Sequence, residues 1–274
     1  MILHCGNFKL DLLRPLVMGI VNVTPDSCSD GGRYLSTNAA IDHAYQLLEE
    51  GADILDIGGE STRPGSAPVS EQEELDRVLP VIEGLRQISQ PISIDTTKSA
   101  VMRAVLLAGA SWVNDVNALQ EAGALAAVAA SGAAVCLMHK QGTPETMQNA
   151  PIYADVMAEV MSFLQQRISA CIAAGVAKER IVIDPGFGFG KSLAHNVSLL
   201  KNLQQFATLG VPILAGLSRK SMLGTLTGRE INHRLPASVA AALIAVQNGA
   251  QIVRVHDVQA TVDALKIWNA VNEE

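Results

Sequence analysis

Met18-Gly-Ile-Val-Asn-Val-Thr-Pro-Asp-Ser-Cys-Ser-Asp-Gly-Gly32 changes character halfway along, and that change decides how the chain is read. Leu16 to Val23 has the continuous apolar texture of a buried strand, with Asn22 at its end. Thr24, Asp26, Ser27, Ser29 and Asp30 follow at once, and Gly31 and Gly32 let the loop turn. A strand that spills into oxygen donors suits a hard cation such as Mg²⁺, which binds through few protein oxygens together with phosphate and water. An ordinary strand followed by a polar turn has the same local pattern, so the rest of the chain must decide.

Outward from that stretch, the period of the sequence switches repeatedly. Short Val/Ile/Leu runs alternate with amphipathic stretches, as a parallel sheet requires. Strands are expected at Leu16–Val23, Asp53–Ile57, Ile92–Asp95, Trp112–Val116, Ala133–Met138, Ile181–Asp184, Ile213–Ala215 and Ile252–Val255. Helices are expected at Ala39–Glu50, Glu71–Ile88, Ser99–Ala108, Ala122–Ala130, Tyr153–Ala174, Ala194–Phe206, Ala237–Asn248 and Thr261–Val271. Gly51, Gly109, Gly132, Gly175, Gly210 and Gly249 stand where helices end and a left-handed residue is wanted. Leu3–Leu12 reads as a β-hairpin turned at Gly6-Asn7. Eight strand–helix units predict an α/β fold, a (β/α)₈ TIM barrel with a short N-terminal hairpin; a doubly wound open sheet is the rival.

At 274 residues and 49% hydrophobic, the chain suits a single barrel domain spanning 1–274. A net charge of −7 argues against a broad nucleic-acid surface, so any phosphate must be bound locally. Cys5, Cys28, Cys136 and Cys171 show no metal-like or disulfide-like spacing. With no secretory pattern and no apolar run long enough to span a bilayer, a cytoplasmic protein is expected, with no membrane partner.

In a barrel, chemistry gathers where strands end and the following loops begin. Those positions here hold Asn22, Asp95, Asn114-Asp115, Asp184, Arg254 and His256. The loop after the second strand holds Glu60, Ser61, Thr62 and Arg63, and that after the seventh holds Ser218, Arg219 and Lys220. Asp95, Asn114, Asp184 and Lys220 together suit a flat heterocycle with amino, ring N–H and carbonyl groups, such as a pterin or guanine edge. Asp95, before Thr96-Thr97-Lys98-Ser99, and Asp184, before a proline, each also read as a helix cap. Asp184-Pro-Gly-Phe-Gly-Phe-Gly-Lys191 has more glycine than capping needs, and its glycines allow close approach to a ligand. Phe187 and Phe189 each read either as a wall for an aromatic substrate or as core. Arg254 and His256 alternate on the last strand and face one way, toward an anion; a core His256 paired with Asp257 is the other reading.

These residues carry a family resemblance. Met18–Gly32, Gly58-Gly-Glu-Ser-Thr-Arg-Pro-Gly65, Ile94-Asp-Thr96, Asn114-Asp-Val116, Met138-His139, Asp184–Lys191, Ser218-Arg-Lys-Ser221 and Arg254-Val-His-Asp257 together resemble the bacterial dihydropteroate synthases, in order from about residue 15 to the end. The resemblance implies condensation of (7,8-dihydropterin-6-yl)methyl diphosphate with 4-aminobenzoate, giving 7,8-dihydropteroate and diphosphate, in an enzyme that sulfonamides target. It further implies that Asn22 helps hold Mg²⁺ with the diphosphate, and that Asp95, Asn114, Asp184 and Lys220 bind the pterin. Thr62, Arg254 and His256 would contact the diphosphate, while Arg63 closes over the site and Asp30 organises it. Cys28, Thr62, Pro64, Phe189 and Ser218 would surround the aminobenzoate. Arg63, Asp95, Lys220 and Asp30 are the implied catalytic set. The resemblance also implies a homodimer, through late helices. A methyltetrahydrofolate–corrinoid methyltransferase barrel shares the pterin anchors but has no need for Thr62-Arg63, Ser218–Lys220 or the Arg254/His256 anion site. A non-catalytic pterin-binding relative is the other alternative.

The chain departs from the family pattern at two positions. Cys28 stands where the family usually carries phenylalanine, which removes an aromatic wall worth about 1–3 kcal/mol of binding. Lys140 stands where methionine is frequent, and a solvated side chain of little consequence is expected there. Cys28→Phe is expected to change the ratio of the sulfonamide inhibition constant to the aminobenzoate Michaelis constant. An unchanged ratio would make Cys28 a neutral replacement.

Overall fold

In the computed structural model, which describes residues 1–23, 32–61, 68–142 and 151–272, the eight apolar runs form parallel strands of one sheet. They are β3 (Leu16–Asn22), β4 (Ile54–Gly58), β5 (Ile92–Asp95), β6 (Trp112–Asp115), β7 (Ala134–Met138), β8 (Ile181–Asp184), β9 (Leu214–Ala215) and β10 (Ile252–Val255). Their order is β8-β7-β6-β5-β4-β3-β10-β9, and an Ile183–Ile213 bridge brings β8 to β9. The sheet therefore closes into a barrel, not the open doubly wound alternative. Burial on both faces explains why these strands read as unbroken apolar runs.

Helices pack outside the strands: α1 (Gly32–Glu49), α2 (Glu71–Leu85), α3 (Ser99–Ala108), α4 (Ala124–Ala129), α5 (Val156–Ala173), α6 (Leu193–Lys201), α7 (Ser221–Thr227), α8 (Leu235–Gln247) and α9 (Val258–Asn272). Most helix ends fall within three residues of expectation, and three departures are larger. α1 begins at Gly32, not at Ala39. The run expected as one helix over Ala194–Phe206 breaks at Asn202, whose side chain binds the Ser198 carbonyl; a 3₁₀ helix, Leu203–Leu209, follows. The segment after β9 holds two helices, because Gly228 adopts a left-handed φ of 67° and ends α7. Gly132 also lacks the positive φ expected of it, unlike Gly51, Gly109, Gly175, Gly210 and Gly249.

β1 (Ile2–Cys5) and β2 (Phe8–Asp11) form the expected hairpin. Leu3, Cys5 and Leu12 pack with Leu16, Ile54, Trp112, Leu214 and Ile252, residues at the starts of the barrel strands. The hairpin therefore plugs the amino-terminal end of the barrel. Cys5 Sγ donates to the Ser111 carbonyl at 3.0 Å, and Gly6 N–H to the Gly132 carbonyl at 2.9 Å. Polar side chains are thus left for the opposite, carboxyl end. No helix among the described residues is long and apolar enough to cross a membrane.

Candidate active site

Side chains alternate along a strand, so Asp56, Asp95, Asn114, Asp184 and Arg254 all point into the carboxyl end of the barrel. Arg254 lies at their centre. Its Nε donates to Asp56 Oδ2 at 2.5 Å and its Nη2 to Asp95 Oδ2 at 2.8 Å. Asn114 Nδ2 donates to the same Asp56 oxygen at 3.0 Å. Burial opposes the Arg254 charge, but Asp56 and Asp95 outweigh it and raise the guanidinium pKa. Asp95 is pushed up to about 7, by burial first and then by Asp56 and Asp115, against the pull of Arg254. Asp95 Oδ1 is buried with no hydrogen-bond partner among the described residues. A buried acceptor in that state is open to a donor from outside the protein, such as a ligand N–H.

The second half of the site is the turn after β8. Asp184 Oδ1 accepts from Gly186 N–H at 2.7 Å, and burial raises its pKa while Lys220 opposes the shift. The β-carbon position at Gly216 lies 3.7 Å from Asp184 Oδ2 and 3.9 Å from Lys220 Nζ, so the absence of a side chain there keeps the pocket open. Lys220 Nζ donates to the Phe187 carbonyl and sits 4.7 Å from the centre of the Phe189 ring. Burial lowers Lys220 to about 8, and Asp184 resists that shift. The two phenylalanines divide their readings: Phe187 is fully buried core, while Phe189 is partly exposed against Lys220. Asp95 does not cap α3, whose N-cap is Lys98.

On the β9–β10 side, Ser218 Oγ and His256 Nδ1 lie 3.0 Å apart, and His256 N–H donates to Ser218 Oγ at 3.2 Å. Asp257 holds Arg219, whose Nε donates at 3.0 Å, and Arg219 has a left-handed φ of 58°. Asn22 ends β3 in register with Gly58, with its side chain exposed at the rim. Cys28, Asp30, Thr62, Arg63 and Pro64 lie outside the described residues. The remaining expected residues, from Asn22 to His256, all stand at one end of the barrel.

Several contributors were not singled out from sequence. Asp56 is one: it lies inside the apolar run of β4, yet it faces the same way as Gly58, two residues on, and that alternation was its signal. Lys98 is another. It donates to Glu60 Oε2 at 2.6 Å and Glu74 Oε2 at 2.5 Å, while Glu60 Oε1 accepts from Val69 N–H at 2.9 Å. This cluster ties the start of the 61–69 segment to its end and to α2. Lys140 is half-buried, not solvated as expected: burial lowers its pKa, and nearby Asp115 and Glu60 oppose that.

The raised Asp95 pKa has a consequence for stability. The folded state holds the Asp95 proton more tightly than the unfolded chain, whose carboxyl titrates near 3.8. The resulting stabilisation is complete below the unfolded value and is lost as pH rises through about 7. Asp95→Asn removes this titration. In urea unfolding, the stability of the variant minus that of the natural protein is expected to grow between about pH 5 and about pH 8. A flat or shrinking difference would mean that Arg254 keeps Asp95 ionised throughout.

Comparisons with known proteins agree with this geometry. The family model described as pterin binding enzyme matches residues 18–256. The dihydropteroate synthase of Haemophilus influenzae is 51% identical over 269 residues, covering 98% of each chain. A Yersinia pestis dihydropteroate synthase in a sulfonamide drug complex superposes with a TM-score of 0.95 at 51% identity, covering 100% of both chains. The Xanthomonas albilineans dihydropteroate synthase in complex with 7,8-dihydropteroate superposes with a TM-score of 0.91 at 54% identity, covering 100% of both. By the family match over residues 18–256 and these relatives over nearly its whole length, the chain belongs to the pterin-binding enzyme family, among the dihydropteroate synthases.

Proposed function

We propose that the chain catalyses the dihydropteroate synthase reaction, joining 4-aminobenzoate to (7,8-dihydropterin-6-yl)methyl diphosphate in folate biosynthesis. The observation that carries this reading is the convergence of Asp95, Asn114, Asp184 and Lys220 around Arg254 at one end of the barrel. A pterin edge offers an amino group and ring N–H groups to the carboxylates, and a carbonyl and ring nitrogen to Asn114 and Lys220. That relatives bind dihydropteroate and sulfonamide supports the same assignment.

In the reaction, the bond between the pterin methylene carbon and the diphosphate oxygen breaks. The bond electrons leave with diphosphate, the aminobenzoate nitrogen bonds the carbon, and that nitrogen loses a proton. An aromatic amine is a weak nucleophile, so an electrophilic carbon matters more than an activated amine. Asp56, Asp95 and Asp184 surround the ring site with carboxylates and favour positive charge delocalised into the dihydropterin. Arg254 and His256 face the developing negative charge of the leaving group. Ser218 orients the His256 ring, and Phe189 offers a face for the aminobenzoate ring. Thr62, Arg63, Pro64, Cys28 and Asp30 are assigned by the motifs alone.

Asn22 is a neutral oxygen donor at the exposed rim, and no group of three or more His, Cys, Asp or Glu among the described residues could hold a metal ion. This donor set fits an ion that arrives with the diphosphate and takes most of its ligands from phosphate and water. Mg²⁺ so bound would neutralise charge on the departing diphosphate.

The reading extends to assembly and location. Ile267 and Val271 on α9 are 69% and 77% exposed, beside an apolar groove lined by Leu243, Ala264 and Trp268. That surface supports the homodimer. Cys5, Cys136 and Cys171 are free and buried, in keeping with a reducing cytoplasm.

The test is diphosphate release by the purified protein. Release is expected to require 4-aminobenzoate, to yield dihydropteroate, and to stop on chelation of Mg²⁺. Tight pterin binding without aminobenzoate-dependent release would contradict the synthase reading. Light scattering is expected to give twice the chain mass, and a single-chain mass would contradict the dimer.

A further inference from the structure

Lys191 closes the glycine-rich turn after β8 and plays no part in the binding set above. Its side chain is almost wholly buried, and its ammonium meets four acceptors from two loops. At the end of β7 these are His139 Nδ1 at 2.9 Å and the His139 carbonyl at 3.2 Å. In the turn after β8 they are the Gly186 carbonyl at 2.9 Å and the Phe189 carbonyl at 3.1 Å. The intervening Phe187 carbonyl accepts from Lys220 instead, and the Phe189 ring lies against that same Lys220 nitrogen. The turn is therefore held between two lysines.

The surroundings agree with this division of labour. Gly186 has φ +73°, and a β-carbon there would run into the His139 carbonyl, so the two loops meet backbone to backbone. Asn196 supports the turn from α6, accepting from Gly188 N–H at 2.8 Å and donating to the Lys191 carbonyl at 3.1 Å. Burial lowers Lys191 to about 7 while Asp184 opposes the shift. Burial and then Lys191 push His139 down to about 3, which leaves its ring neutral and its Nδ1 able to accept. An ammonium taken out of water is costly unless fully hydrogen-bonded. A methionine would fill the same volume without that cost, but it would take this donor from His139 Nδ1 and from the His139 and Phe189 carbonyls, and leave the Gly186 carbonyl only the Phe189 N–H.

The geometry points to Lys191 as a positioning residue. By gathering the Gly186 and Phe189 carbonyls against the end of β7, it turns the Phe187 carbonyl and the Phe189 ring toward Lys220 and so sets the ammonium that meets the pterin. This rests on the functional reading above, which gives Lys220 and Phe189 to substrate. Lys191 itself touches no substrate.

Lys191→Met removes the charge and every donor. Lys191→Gln keeps two donors without charge and carries the test if the methionine variant does not fold. Calorimetric binding of 7,8-dihydropteroate, steady-state kinetics and thermal unfolding are measured on the full-length protein and both variants. In folded variant, the dihydropteroate Kd is expected to rise about tenfold or more, with Gln milder than Met, since a charged hydrogen-bond network is being cut. The aminobenzoate KM is expected to rise with it through Phe189. The alkaline limb of dihydropteroate binding is expected to lie at lower pH in Lys191→Met than in Lys191→Gln: both lose the charge that faces Lys220 beside Asp184, Asp95 and Arg254, but only the methionine loses every donor that holds the turn and its Phe187 carbonyl. Unfolding at lower temperature with Kd within threefold and the same alkaline limb in both variants would overturn the proposal and leave Lys191 a structural residue only. If the natural protein makes no dihydropteroate, the functional reading fails; if it does and the folded variants match its Kd and KM, the positioning role fails.

Discussion

The guanidinium of Arg254, held inside the barrel between Asp56 and Asp95, is the constraint on which the rest of the structure depends. A buried charge that loses a partner costs several kcal/mol, on the order of 3–5. β10, β4 and β5 must therefore keep the registers that bring these three side chains together, and β3 lies between β10 and β4 in the sheet. A slip of one residue in any of these strands would turn its charged group to the outer, helix-covered face. Asn114 extends the constraint to β6 through Asp56. Closure of the barrel and assembly of the site are thus one requirement, and the hairpin plug at the opposite end keeps the apolar layer below continuous.

The site is an alternation of fixed charges. Arg254 draws on Asp56 and Asp95, Lys220 lies beside Asp184, and Arg219 is tied to Asp257. Arg219 engages both oxygens of Asp257, but Arg254 reaches one oxygen each of Asp56 and Asp95, so acceptor capacity is left over where a ligand arrives; Asp95 Oδ1 is the plainest instance. Preorganised groups of this kind need little reorganisation when charge moves. Their cost is visible in the raised pKa of Asp95 and the lowered pKa of Lys220, both driven by burial. Groups so perturbed in one pocket are characteristic of sites that handle charge.

The barrel was legible from sequence because a parallel strand buried on both faces has no polar interruption until it ends, and the ends are where function sits. Asn22, Asp95, Asn114, Asp184 and Arg254 announced themselves by that rule. Asp56 did not, because it lies one turn of the pleat below the strand end, where a carboxylate reads as an anomaly unless its cation on β10 is known; its partner Arg254 is 198 residues away. Lys191 was read as the close of a glycine-rich loop, since nothing local marks a lysine that is buried by a loop from another strand. Lys140 was expected in solvent for the same reason. The division of α6 at Asn202 was hidden because helical periodicity continues through it, while the break lies in the Asn202 backbone, at φ −107° and ψ 17°, and in its side-chain bond to Ser198.

The most direct test of this account is a double-mutant cycle on Asp56 and Arg254, read as urea unfolding near pH 8. Arg254→Met should leave two buried carboxylates without their cation and destabilise strongly, by about 3–5 kcal/mol. Asp56→Asn should destabilise the natural protein yet restore stability when added to Arg254→Met, because it removes one of those stranded charges. If Asp56→Asn costs the same with and without Arg254, the ion pair is not the constraint that holds barrel and site together.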